Sequence, residues 1–368
     1  MSADQPTAQP SPAATLGAEE IGEFLRAHDV VPRDADLEAH ELGWGVSNVV
    51  LKVIWRAEGR SGCAIVKQSL PALRVAADWR FDRARTFVER DCLLLLARLV
   101  PGAVPEVLIC DERRYLLAIS CVPAGGVLWK QALLDGDVDL EAAGRAGELL
   151  GRIHRLATCD RQAQARFADQ TVLVQGRTDP YHMTAAAAHP ELAPSIEAEV
   201  RRMLATRLTL TLGDYSPKNI FVYSDRVIAI DFETAHWGDP AFDVAFCLTN
   251  LSLKAYHLPG HTARLVDAAA RFWTRYRDAE SLRLCSEQAV VSELGCLLLA
   301  RIDGKSPVEY IVRETVKERV RALAASLILD PGDSVSAALE RVRAGALERG
   351  EDGAAAPPAA GTTQGGVQ

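Results

Sequence analysis

The chain has 368 residues, 48% of them hydrophobic and 24% charged, with a formal net charge of −8. That is an ordinary globular mix, long enough for two or three packed units, and it excludes a fibrous repeat, a wholly disordered chain and a small disulfide-stapled module. The acidic balance leaves no general basic field for phosphate backbones or anionic lipid, so neither nucleic acid nor a membrane surface is an expected partner. No basic, apolar and small-residue leader pattern stands at the N-terminus, and no apolar run reaches the ~18 residues of a membrane span. The eight cysteines stand singly with no Cys-x-x-Cys spacing. We therefore expect no zinc site, no disulfide framework and a reducing, cytoplasmic setting.

In chain order, residues 1–18 are rich in Pro, Ala and small polar residues and read as a disordered tail, as do residues 350–368. A short amphipathic helix is expected over 19–27. Two β-rich runs, 49–55 and 63–67, flank the turn-forming Glu58-Gly59-Arg60-Ser61-Gly62 and predict an antiparallel hairpin. Apolar residues at helical spacing (Phe87, Val88, Cys92, Leu95, Leu99) predict a helix over 79–100, stopped by Pro101-Gly102. A second hairpin follows, 107–110 with 115–122. After Pro123-Ala124-Gly125-Gly126 the texture turns helical, with helices expected over 139–157, about 190–206, 261–278, 285–301, 307–328 and 334–348. Two short β segments, 219–223 and 227–230, interrupt them. The expected organisation is a small lobe over 19–122 and a helical lobe over 123–349.

The stretch most informative about chemistry is Gly213-Asp214-Tyr215-Ser216-Pro217-Lys218-Asn219, followed after the two short strands by Ile230-Asp231-Phe232-Glu233. Phosphoryl transfer to a hydroxyl needs a carboxylate to take the alcohol proton and oxygen ligands for a metal bridging the nucleotide phosphates. Asp214 is placed to be the base, and Asn219 and Asp231 to hold Mg²⁺.

This two-part motif resembles the catalytic loop and metal-binding turn of the protein-kinase-like superfamily. Residues 213–219 together with Asp231-Phe232-Glu233-Thr234-Ala235-His236-Trp237-Gly238-Asp239-Pro240-Ala241-Phe242-Asp243 are similar to the aminoglycoside phosphotransferase, choline kinase and methylthioribose kinase group. The resemblance extends loosely over about residues 38–330. It implies a two-lobed α+β fold, with a small antiparallel-sheet lobe, a large mainly helical lobe, and ATP and Mg²⁺ as cofactors. Ala64-Ile65-Val66-Lys67 resembles the strand lysine that meets the α- and β-phosphates, and Lys67 is one of only seven lysines in the chain. Glu89 on the following helix is the expected partner of Lys67, with Asp78, Asp82 and Asp91 as rivals.

Gly43, Gly45 and Ser47, before the first strand of the hairpin, sit where small residues would let backbone N–H groups approach phosphate. Cys121 and Val122 are the expected hinge against adenine. The resemblance further suggests a metal or substrate contact for Glu233, the acceptor site for Trp237, and a substrate or phosphate contact for Arg301, which is similar to a helix-end arginine of methylthioribose kinases. Residues 177–182 are a second candidate rim of the acceptor pocket, and His154 reads as a core histidine. One departure is Leu212, where the family usually has the histidine that braces the catalytic loop, and Asp243 is expected to tie that loop instead.

The expected activity is transfer of the γ-phosphoryl group of ATP to a hydroxyl of a small aminoglycoside-like, sugar-like or amino-alcohol molecule. The alternative is a nucleotide-binding pseudokinase acting through protein partners. Oligomeric state is not legible.

Overall fold

The computed structural model describes residues 17–43, 47–70 and 81–348. The predicted tails lie almost wholly outside them, as do Gly45, Asp78 and Trp79. A helix α1 (Ala18–Ala27) precedes a sheet of β1 (Asp36–Glu41), β2 (Asn48–Ala57) and β3 (Arg60–Ser69), then α2 (Arg85–Leu99), β4 (Val107–Asp111) and β5 (Leu116–Ser120). The sheet order is β1-β2-β3-β5-β4, antiparallel throughout. The β2–β3 connection has two residues between the paired Ala57 and Arg60, and Gly59 supplies the φ of +67° that so tight a turn demands. One sheet face packs under α1, with Ile21 and Leu25 against Val49, Leu51, Val53, Val66 and Ala118. The other side joins the main core through Leu117, Ile119 and the α2 residues Cys92, Leu93 and Leu96.

Beyond residue 122 the chain is mainly helical. The α+β expectation holds, with a small antiparallel sheet portion and a large helical one. Helices Leu140–Ala157 and Thr262–Glu280 pack closely on one another, and Thr262–Glu280 and Glu287–Asp303 each pack on Pro240–His257. No helix of the described residues is long and apolar enough to cross a membrane.

Some expectations need correction. α2 starts at Arg85, because Asp82 Oδ1 accepts the Ala84 N–H (2.9 Å) and makes a turn there. The helix expected over 307–328 begins at Glu314, since the Val308 N–H bonds back to Arg301 O (2.9 Å) and holds the preceding segment against the end of the previous helix. Helix Pro240–His257 was not anticipated. It is buried on nearly every side, so it has no polar stripe to give it a period. β1 was missed for the opposite reason, as a largely exposed, charged edge strand.

The expectation for the cysteines also fails at one pair. Cys63 in β3 and Cys121 just past β5 are disulfide-bonded, with Cα atoms 5.5 Å apart. Ala64 pairs with Ser120 across the two strands, so residues 58 apart in sequence become neighbours.

Candidate active site

The strand Thr209–Thr211 pairs with His236–Gly238 and delivers the chain into Leu212-Gly213-Asp214. Gly213 has a φ of +75°, and a Cβ there would stand 2.6 Å from Thr234 O, so the turn into Asp214 requires glycine. Asp243 ties this turn as expected. Its carboxylate accepts the N–H groups of Leu212 (2.6 Å) and Gly213 (2.7 Å). Leu212 itself packs in the core at 1% exposure. His154 is more than a core residue: its Nε2 lies 3.2 Å from Asp243 Oδ2 and its Nδ1 3.1 Å from the Tyr276 hydroxyl. The carboxylate that accepts the two backbone N–H groups thus meets the imidazole as well, and the ring in turn meets the tyrosine.

Asp214 is buried. Its Oδ2 is held by Arg177 Nη2 (3.0 Å) and Lys218 Nζ (2.8 Å), and its Oδ1 is buried with no hydrogen-bond partner. Arg177 also donates through Nε to Gly213 O (2.6 Å), so one guanidinium fixes both the carboxylate and the backbone before it. Sequence reasoning placed Arg177 only in a loop on the pocket rim. The segment is instead a π-helical stretch, Val174–Met183, with Pro180 inside it. A polar run carrying a proline gives no period that would reveal such a helix. Burial alone would lower the Lys218 pKa, but Asp214 and Asp231 raise it above the usual value.

From β3, Lys67 Nζ reaches Glu89 Oε1 on α2 at 2.6 Å and Asp231 Oδ1 at 2.8 Å. Of the rivals to Glu89 that are described, Asp82 caps a turn and Asp91 binds Arg90 and Arg166. Burial opposes the charge on Lys67, but Asp231 and Glu89 outweigh it and hold the ammonium protonated. Burial would likewise raise Asp231, yet Lys67 and Lys218 draw it down to about 2. Asp231 has a φ of +69°, a strained conformation for a residue with a side chain, of the kind that functional turns retain.

The donor set fits a magnesium ion. Among the described residues, Lys67 bonds only Oδ1 of Asp231, leaving Oδ2 without a hydrogen-bond partner, and Asn219, whose Nδ2 donates to Asp214 O (3.1 Å), has no donor to its side-chain oxygen. No group of three or more His, Cys, Asp or Glu among the described residues is arranged to hold a metal alone. Mg²⁺ binds through one or two protein oxygens and completes its shell with phosphates and water, so two such oxygens are the number it asks of the protein.

The remaining candidates divide. Both oxygens of Glu233 are taken, Oε1 by Ser47 Oγ (2.7 Å) and Oε2 by Asn48 Nδ2 (2.8 Å) and Arg85 Nε (3.2 Å), so the expected metal or substrate contact is replaced by a clasp between β2, α2 and the turn after Asp231. Ser47 is part of that clasp, Gly43 is exposed, and Gly45 lies outside the described residues. Trp237 does not line the acceptor site: it is 3% exposed in the core, with Nε1 donating to Arg207 O (3.2 Å). Cys121 and Val122 follow β5 directly, half-buried, with the Cys121 N–H on Cys63 O (3.4 Å). Arg301 stands by Tyr181, with Nη1 3.4 Å from its hydroxyl.

Comparison with known proteins follows the same line. Residues 38–285 match the family described as "Phosphotransferase enzyme family". A methylthioribose kinase of Yersinia enterocolitica serotype O:8 / biotype 1B is 27% identical over 299 residues, which cover 72% of this chain and 74% of that protein. A methylthioribose kinase of Pectobacterium atrosepticum is 27% identical over 285 residues, 70% of each chain. Among solved structures, a choline/ethanolamine kinase family protein from Mesorhizobium loti has a similar fold, with a TM-score of 0.51 at 15% identity over 89% of this chain and 98% of that one.

Proposed function

Because the chain belongs to the phosphotransferase enzyme family and is a small-molecule kinase, we propose that it moves the γ-phosphoryl group of ATP to a hydroxyl of a small polar molecule. The observation that carries this reading is Asp214, whose Oδ1 is buried and unpartnered while Arg177 and Lys218 fix Oδ2. A carboxylate so held has one oxygen left to orient an alcohol and take its proton. Lys67, braced by Glu89, would meet the nucleotide phosphates once released from Asp231. Asn219 and Asp231 would hold Mg²⁺, which when bound neutralises phosphate charge. Positioning and charge do most of the work, because phosphoryl transfer asks little covalent chemistry of the protein. Leu212 is no obstacle, since Asp243 and His154 hold the catalytic turn that the missing histidine would brace.

The test is a Mg²⁺-dependent shift of melting temperature by ATP, followed by ATP consumption over polyols, aminoglycosides, choline and thioribose. A shift that needs Mg²⁺ and disappears in Asp231→Ala supports the reading. No nucleotide effect in the wild type would overturn it.

A further inference from the structure

The surroundings of Asp214 hold more cations than the transfer step uses. Tyr181 links them: its ring centre lies 5.5 Å from the Arg177 guanidinium carbon and 5.8 Å from that of Arg301. Burial would raise this phenol, but Arg301, Arg177 and Lys218 outweigh burial and draw its pKa below the usual value. Arg301 Nη1 also donates to Ser306 O and Ser306 Oγ (2.9 Å to the hydroxyl), while its Nε is buried with no acceptor.

Next to Arg301 stands Lys254, 1% exposed on helix Pro240–His257. Among the described residues its ammonium donates only to Asn250 O (3.3 Å), and it lies 5.3 Å from the ring centre of Tyr310, whose hydroxyl is buried and also unpartnered. No carboxylate among the described residues pairs with Arg301 or Lys254. Glu309 is close enough to be felt by Lys254 but is bonded to Lys130. Burial, with the Lys130 and Arg301 charges beside it, takes Lys254 down to about 7. Arg301 also lines a cavity of about 280 Å³ with Glu309 and Lys317, and Lys254 and Tyr310 stand behind that lining rather than in it.

Buried donors without acceptors are costly unless a ligand completes them, and a cationic acceptor would be repelled by this group. We propose that the acceptor bears an oxyanion, a carboxylate or a phosphate, that docks on Arg301, Lys254 and Tyr310 while its hydroxyl meets Asp214. This rests on the phosphotransferase reading above for the role of Asp214. It names an anionic hydroxy compound over a polyamine, a quaternary ammonium or an uncharged sugar.

The experiment titrates the full chain calorimetrically with acetate, inorganic phosphate, glycerol and tetramethylammonium, each with and without a saturating non-hydrolysable ATP analogue and Mg²⁺. Wild type, Arg301→Gln, Arg301→Lys and Lys254→Met are compared, with circular dichroism as the check on folding. The expected result is binding of acetate or phosphate that survives nucleotide saturation. It weakens about tenfold or more in Arg301→Gln, as loss of a charge-assisted contact implies, and recovers in part in Arg301→Lys. Whichever of acetate and phosphate binds identifies the group. Absence of anion binding, anion binding indifferent to both Arg301→Gln and Lys254→Met, or preference for tetramethylammonium each overturns the proposal. Failure of the nucleotide to bind would instead remove the phosphotransferase reading, and the nucleotide-free titrations still decide the anion site.

Discussion

His154 Nε2 lies 3.2 Å from Asp243 Oδ2, and both side chains are fully buried. Through that contact a histidine from helix Leu140–Ala157 braces the carboxylate that holds the turn into Asp214, and the turn is pinned at Leu212 and Gly213 without any side-chain hydrogen bond from position 212.

Asp243→Ala should therefore be far more damaging than Leu212→His. It strands two buried backbone N–H groups and His154 together, at about 1–3 kcal/mol for each buried group left without a partner. Leu212→His places a polar ring in an apolar site, and we expect lower stability from it with the turn still tied. Thermal melts and turnover of the two variants rank them. Gain of activity in Leu212→His over the wild type would show that the present brace is insufficient.

Lys67→Ala and Glu89→Ala should each weaken ATP use, and the double variant should be little worse than Lys67→Ala alone, because the 2.6 Å contact makes them one unit. A coupling energy of about 0.5–3 kcal/mol in the cycle is expected for residues in contact. Additive losses would mean that Glu89 does not orient Lys67.

Arg177→Met should lower kcat about 10–100-fold through a misplaced Asp214, since small errors in position are costly to catalysis. The ATP-induced melting shift should be retained, because Arg177 touches Asp214 and Gly213 and neither Lys67 nor Glu89. Lysine in its place keeps the charge but not the fork to both partners, so we expect only partial rescue. Full activity in Arg177→Met would remove the positioning role.

His182 and Glu293 form a buried pair at 2.8 Å. Burial would lower the His182 pKa, but Glu293 raises it above the usual histidine value. The protonated ring is thus favoured in the folded state. Its contribution to stability is complete below the unfolded value near 6.5 and is lost as pH rises through the higher folded value. Denaturation midpoints measured across that range should fall with rising pH in the wild type and fall less steeply in His182→Gln. An unchanged slope in the variant would contradict the assignment.

The sequence was legible where chemistry is local. Asp214, Asn219 and Asp231 lie on a loop, a hairpin and a turn whose short spacing brings them together, and Lys67 ends an apolar strand run. What it hid depends on distance along the chain. Arg177 reaches Asp214 from a π-helical segment 37 residues earlier, Glu233 turns away to Arg85 and Asn48, and Cys63 meets Cys121 because β3 and β5 are neighbours although α2 and β4 separate them in sequence. Trp237 was misplaced because an aromatic residue beside a motif reads the same whether it faces a ligand or the core.

The most direct measurement of the central claim is single-turnover phosphoryl transfer by Asp214→Asn, with the acceptor that the ATP-consumption screen identifies. The variant should retain the Mg²⁺-dependent ATP shift of melting temperature and transfer phosphate ~10²–10⁴-fold more slowly, the usual worth of a positioned general base. Transfer at the wild-type rate would contradict the account.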